Sequence, residues 1–314
     1  MSPTTPAAPD LVIGIDGGAT HTAALLADAA SGAVRGRGTA GPSNIQAVGV
    51  EAALRELDAA VGRAFAAAGL PRTRVKAACL GLAGVDLNEG IDIIRGWSDR
   101  VGLAAAVSVA NDATLLFAAG TPEGWGLAVI AGTGSIAFAL DRNGKDARAG
   151  GWGYLLGDEG SAFRVGLLGL RAACRAADRI GDPTALLPAL LAKLGTADPR
   201  DFIPAVYRGA WDKAAIAGLA PVVLECAAAG DAAAAGIVRS EARELARTAA
   251  GAVTLGGLPP DGVPVALTGG LVLKSETFRG LFLGGLRDCG VTPGPVGLVE
   301  DPAVGAVVLA RKIS

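Results

Sequence analysis

The stretch LVIGIDGGATHT, Leu11 to Thr22, decides the fold. An apolar run ends at Asp16, turns on Gly17 and Gly18, and resumes as the apolar THTAALLAD, so the order is strand, glycine turn, strand. Glycine frees the backbone for tight turning and close approach. Thr20 and Thr22 place hydroxyl donors beside a carboxylate. That set suits a bound phosphate and its metal, carried on a hairpin loop.

Two other phosphate loops make demands that this chain does not meet. A dinucleotide fingerprint needs G-x-G-x-x-G opening a helix, but Gly14 and Gly17 are three apart and a strand follows. A Walker A loop needs G-x-x-x-x-G-K-[ST], and in TGGLVLKS both glycine positions are filled by Thr268 and Leu273.

The opening pattern recurs in WGLAVIAGTGSIAFALDRNGKDARAG, Trp125 to Gly150. Each copy has an apolar strand, a Gly/Thr/Ser loop, a second strand, an Asp-led turn and a third strand. Between the copies, AALRELDAAVGRAFAAAG and GIDIIRGWSDRVG have helical periodicity, while VKAACLGLAG and AAVSVAND read as buried strands. Ala/Leu-rich helices follow from about Asp158 to Gly251. VPVALTGGLV and PGPVGLVED then read as late strands and PAVGAVVLARKIS as a terminal helix. Alternating strands and helices imply a partly parallel sheet.

Length and composition agree with two folded domains, since 314 residues exceed one ordinary core. The formal net charge of -2, with no basic run, gives no footprint for nucleic acid or an anionic membrane. Mean hydropathy is high at +0.44. Even so, the longest uncharged stretch, Gly124 to Leu140, carries four glycines and reads as two buried strands, not a membrane span. MSPTTPAAPD has neither a positive n-region nor an apolar h-region and reads as a disordered leader in a cytoplasmic protein. Cys79, Cys174, Cys226 and Cys289 form no C-x-x-C pair and read as buried free thiols. The single histidine, His21, cannot build a histidine-rich metal site and reads as a loop residue near the phosphates.

Taken in order, GIDGGATHT, GPSN, GLAGVD, NDA, AGTGS, GGWGYLLGDEGS and LTGGLV resemble the actin-like ATPase superfamily. Within it the chain resembles the BadF/BadG/BcrA/BcrD-type group, which contains N-acetylglucosamine and glucosamine kinases. The resemblance implies an α/β protein of two ribonuclease-H-like domains, residues 1–121 and 122–300, with helix 301–314 packing back on the first. It also implies an interdomain cleft for nucleotide and sugar, and ATP-dependent phosphorylation of an amino sugar at its 6-hydroxyl. A homodimer is implied in the same way.

Residue by residue, the resemblance makes Asp16 the acid that holds magnesium, through water, as a hard carboxylate suits a hard ion. Gly17, Gly18, Thr20 and Thr22 would face the β- and γ-phosphates, and Gly132, Thr133, Gly134 and Ser135 would form the second phosphate loop. Gly269 and Gly270 would admit the adenosine. Asp112, otherwise a helix N-cap, would be the general base. Asn44, Thr133 and Asp158 would recognise sugar hydroxyls. Glu159 would join them or cap the helix that begins there. Gly150, Gly151 and Trp152 would shape the sugar's surroundings, with Trp152 on a sugar face or in the core. Two positions depart from the pattern. Ala19 stands where relatives have glycine, and Ile136 where they can carry a polar residue, which removes a possible contact to the N-acetyl or amino group.

Two other functions occur on this fold. An iron–sulfur ATPase activator needs thiolate ligands in suitable loops, and neither Cys79 nor Cys174 is so placed. A sugar-sensing regulator carries an added helix-turn-helix, and the strand starting at Leu11 leaves no room before it. The zinc cluster of related repressors and kinases is excluded, because one His and scattered Cys cannot form it.

Overall fold

A computed structural model describes residues 10–18, 20–83, 88–209 and 211–314. The leader up to Pro9, Ala19 and Gly84 to Asp86 of GLAGVD lie outside the described residues. The chain forms two compact units. One comprises residues up to Gly124 with Asp301–Ser314, and the other Trp125–Glu300.

In the first unit, strands β1 (Leu11–Gly17), β2 (Thr22–Asp28) and β3 (Val34–Ala40) are followed by helices α1 (Ile45–Val48) and α2 (Val50–Ala67). Then come β4 (Val75–Leu82), α3 (Asn88–Val101), β5 (Ala104–Asn111) and α4 (Asp112–Gly120). The sheet order is β3-β2-β1-β4-β5. β2 runs antiparallel to both β1 and β3, whereas β4 is parallel to β1 and β5. Thr121 closes α4 by donating from its amide and its hydroxyl to the Phe117 carbonyl, so the segment to Gly124 stays with this unit.

The second unit contains β6 (Gly126–Ala131), β7 (Ser135–Leu140) and β8 (Asp146–Gly150). Helices α5 (Ala162–Ala177), α6 (Leu186–Leu194), α7 (Phe202–Tyr207), α8 (Lys213–Ala217), α9 (Ala220–Ala228) and α10 (Ala232–Gly256) follow. The chain continues through β9 (Asp261–Thr268), α11 (Gly270–Lys274), α12 (Glu276–Asp288) and β10 (Thr292–Leu298). Its order, β10-β9-β6-β7-β8, repeats the first sheet's connectivity with the same parallel and antiparallel pairs. The Asp-led turns repeat as well. Asp28 Oδ1 accepts from the amides of Ala30 and Ser31, and Asp141 Oδ1 from those of Asn143 and Lys145.

Alternation along the strands sends residues to two faces. Ile13, Ile15 and Leu26 bury against Leu57, Val61 and Phe65 of α2, while Val12, Ala23 and Leu25 meet Leu115 of α4. On that second face lies the terminal helix α13 (Ala303–Lys312), through Ala306, Val307 and Ala310. Close approach of α13 requires Gly14, because a Cβ there would lie 2.4 Å from the Val307 nitrogen. Each large side chain buried in such a layer contributes roughly 1.5–3 kcal/mol.

Several expectations are corrected. β7 alternates buried and half-buried positions instead of being buried throughout, because only one of its faces meets the helical layer. Cys174 and Cys289 are exposed, the first on the outer face of α5 and the second at the end of α12; Cys79 and Cys226 are buried, and all four are free. Among the described residues no single helix is long and apolar enough to cross a membrane.

Candidate functional site

In the first unit, Asp16 is the sixth residue of β1, paired with Ala23 of β2 and Gly81 of β4. A central strand places it where solvent is scarce. Burial, then the carboxylates of Asp112 and Asp301, push its pKa up to about 7, and the Arg37 guanidinium offsets part of that rise. Arg37 of β3 is ion-paired with Asp301, just before α13. Neither was found by reading motifs, since each lies far in sequence from Asp16. Among the described residues no group of three or more His, Cys, Asp or Glu could hold a metal ion by itself. The donor set instead fits a hard cation bound mostly through water and phosphate, which would relieve the crowding of negative charge around Asp16.

Thr20 is exposed, with its hydroxyl 3.1 Å from Nδ1 of the exposed His21. Gly18 is half-buried and leads into the turn. Thr22 differs from the expectation that its hydroxyl faces phosphate. It is fully buried, and its hydroxyl donates to the Gly41 carbonyl at 2.7 Å and reaches Ser43 Oγ at 2.8 Å. The inward pleat of β2 spends that hydroxyl on tying the strand to the GPSN turn. Asn44, half-buried, caps α1, its Oδ1 accepting from the amides of Gln46 and Ala47.

Asp112 is not the N-cap of α4. Asn111 takes that place, accepting from the Ala113 amide at 2.9 Å, and Asp112 is the first helical residue, half-buried. A carboxylate there is favoured by the helix dipole.

In the second unit, the loop Gly132–Ser135 is a tight turn closed by the Gly132 amide on the Gly134 carbonyl at 3.0 Å. Thr133 is its exposed tip. Ser135 is buried, with its hydroxyl donating to the Glu159 carbonyl at 2.7 Å. The Ala162 amide, opening α5, donates to the Gly132 carbonyl at 2.8 Å. The loop is thus stapled to GDEGS from behind.

Gly269, with φ of 98°, backs onto the start of this loop, where a Cβ would lie 2.4 Å from the Ala131 carbonyl carbon. Only glycine meets both demands. Gly270, the exposed first residue of α11, has open space where a Cβ would stand. That free surface beside the loop is the kind a flat base and ribose can occupy.

Asp158 also departs from its expected part in sugar recognition. It is buried, adopts φ of 62°, and both its oxygens are engaged. Oδ1 accepts from the Ser135 amide at 3.3 Å, and Oδ2 pairs with Lys213 Nζ at 2.9 Å. Glu159 does not cap a helix, because α5 begins at Ala162 with Ser161 as its N-cap. Glu241 of α10, unmarked by any motif, accepts from the Gly160 amide at 2.8 Å; burial raises its pKa above the usual carboxylate range. Gly150 and Gly151 both have left-handed backbone, and Gly151 faces Ile136. Trp152 is not a core residue, being 66% exposed, with the Arg148 guanidinium 5.8 Å from its ring.

The chain and its fold have clear relatives. An N-acetylmuramic acid/N-acetylglucosamine kinase of Clostridium acetobutylicum is 31% identical, over 96% of this chain and 98% of its own. An N-acetyl-D-glucosamine kinase of Dictyostelium discoideum is 29% identical, with the same shares covered. The solved structure of a candidate N-acetylglucosamine kinase from Chromobacterium violaceum superposes with a TM-score of 0.72 at 28% identity, covering 96% of this chain and 99% of that one. The architecture is that of actin-like ATPase sugar kinases. The model of the BadF/BadG/BcrA/BcrD ATPase family matches residues 13–310, nearly the whole chain, and the protein belongs to that family.

Proposed function

We propose that the protein transfers the γ-phosphoryl group of ATP to the 6-hydroxyl of an amino sugar, N-acetylglucosamine or glucosamine. The observation that carries this reading is the end-to-end similarity to a kinase of N-acetylmuramic acid and N-acetylglucosamine, at 31% identity. The exposed polar tips of both glycine loops, Thr20 and Thr133, support it.

In this reading Asp112 is the general base. Its carboxylate takes the proton of the sugar hydroxyl as that oxygen bonds to the γ-phosphorus, the bond to the bridging oxygen breaks, and ADP departs. Gly17, Gly18 and Thr20 serve the phosphates from one loop, and Gly132, Thr133 and Gly134 from the other. Gly270 offers its bare surface to the adenosine. Asn44, Gly151 and Trp152 are the sugar-side residues, the exposed indole supplying an apolar face for a pyranose ring. Asp16 would hold magnesium through water, and the ion when bound would neutralise charge on the phosphate oxygens.

A panel of N-acetylglucosamine, glucosamine, N-acetylmuramic acid and glucose, with ATP and magnesium and coupled detection of ADP, tests the proposal. Sugar-dependent ADP release is expected with the amino sugars above glucose, and phosphorus–proton coupling in the product should place the phosphate on the 6-oxygen. No sugar-dependent release across the panel would reject it.

A further inference from the structure

We propose that Lys213 is a positioning residue for the second phosphate loop, acting through Asp158. The inference rests on the reading that Gly132–Ser135 take nucleotide phosphate.

Lys213 opens α8, held there by Asp212, whose Oδ1 accepts from the Ala215 amide at 2.8 Å. α8 is itself fixed on α5, since a Cβ on Gly166 would meet the Ile216 carbonyl oxygen at 2.1 Å. From that base the Lys213 ammonium reaches Asp158 Oδ2 at 2.9 Å and stands 5.4 Å from the Tyr154 ring, which packs edge-on against Phe163. The Asp158 side chain is only 5% exposed and Lys213 is 36% exposed. With so little of its side chain open to water, Asp158 takes its hydrogen bonds from protein groups, and Lys213 is the charged one.

The anion sits directly beneath the loop. Oδ1 accepts from the Ser135 amide, and a Cβ on Gly134 would lie 3.0 Å from either oxygen. Lys213, Asp158 and the Ser135 amide therefore form one strut from α8 to the turn. Asp158 has left-handed backbone, a conformation that a non-glycine residue keeps only when its surroundings hold it. Lys213 supplies that hold from a helix no phosphate motif includes.

The test compares the full-length wild type with Lys213→Met, which keeps the apolar stem, and Lys213→Arg, which keeps the charge. Hydrogen exchange across residues 131–136 is read in ligand-free protein, together with KM for ATP and for sugar. Lys213→Met should accelerate exchange in that segment about tenfold and raise KM for ATP by about tenfold, because small misplacements of binding groups are costly, while KM for sugar stays within about twofold. Lys213→Arg should restore both. Unchanged exchange in Lys213→Met would overturn the strut. Faster exchange with unchanged nucleotide parameters would leave the strut standing and overturn the link to nucleotide. Should Lys213→Met fail to fold, Asp158→Asn, which keeps shape and removes the anion, carries the same readouts.

Discussion

Thr22 Oγ1 lies 2.8 Å from Ser43 Oγ and 2.7 Å from the Gly41 carbonyl, binding the strand after the first glycine turn to the turn that presents Asn44. A hydroxyl with these partners and no exposed surface is structural. Thr22→Val should destabilise the protein by about 1–3 kcal/mol, because it leaves buried partners unmatched, and Thr22→Ser should lose less. Chemical denaturation measures this. A Thr22→Val protein of undiminished stability that binds nucleotide poorly would return the hydroxyl to the phosphates.

Asp16 gives a pH-dependent stability of known sign. Its folded pKa of about 7 is above the ordinary 3.8, so the folded state holds the proton more tightly. Stability without metal therefore falls as pH rises from about 4 to about 7, by at most about 4 kcal/mol. Asp16→Asn should melt higher than wild type at pH 8 in the absence of metal and nucleotide, and the gap should shrink as pH falls toward 4. The variant should also lose turnover and its magnesium dependence. Equal melting temperatures at pH 8 would show that the carboxylate carries no such penalty.

Asp112→Asn should keep the fold, because Asn111 and not Asp112 caps α4. Loss of the proton acceptor should cut kcat by about 10² to 10⁴ with little change in nucleotide affinity. The substitution also removes a like charge that raises the Asp16 pKa, so the Asp16 titration should move to lower pH. Near wild-type kcat in a folded Asp112→Asn protein would remove Asp112 from the role of base.

Gly269 and Gly270 are adjacent and should respond differently to alanine. Gly269→Ala places a Cβ against the Ala131 backbone at a left-handed φ and should cost about 1–3 kcal/mol of stability. Gly270→Ala projects into open space and should leave stability unchanged while raising KM for ATP. If Gly270→Ala leaves KM for ATP unaltered, the adenosine does not lie there.

The order of strands and turns was legible in the sequence because local chemistry produces it. Short continuous apolar runs make β1, β2, β6 and β7, glycines make the turns between them, and Asp28 and Asp141 fold their own turns through neighbouring amides. Repetition of that pattern was enough to expect two similar sheets. What the tertiary structure alone decided is which polar groups remain available to a ligand. Thr22 and Thr20 are two residues apart in one motif, yet the pleat of β2 buries the first hydroxyl and leaves the second exposed. Asp158 and Glu159 are neighbours, yet only the first is locked beneath a loop by a lysine 55 residues away. Lys213, Glu241 and the Arg37–Asp301 pair carry no motif, because each meets its partner through packing between elements distant in the chain. Spacing fixes what is local along the backbone, whereas burial and ion pairing depend on which faces of distant helices and strands come to rest together.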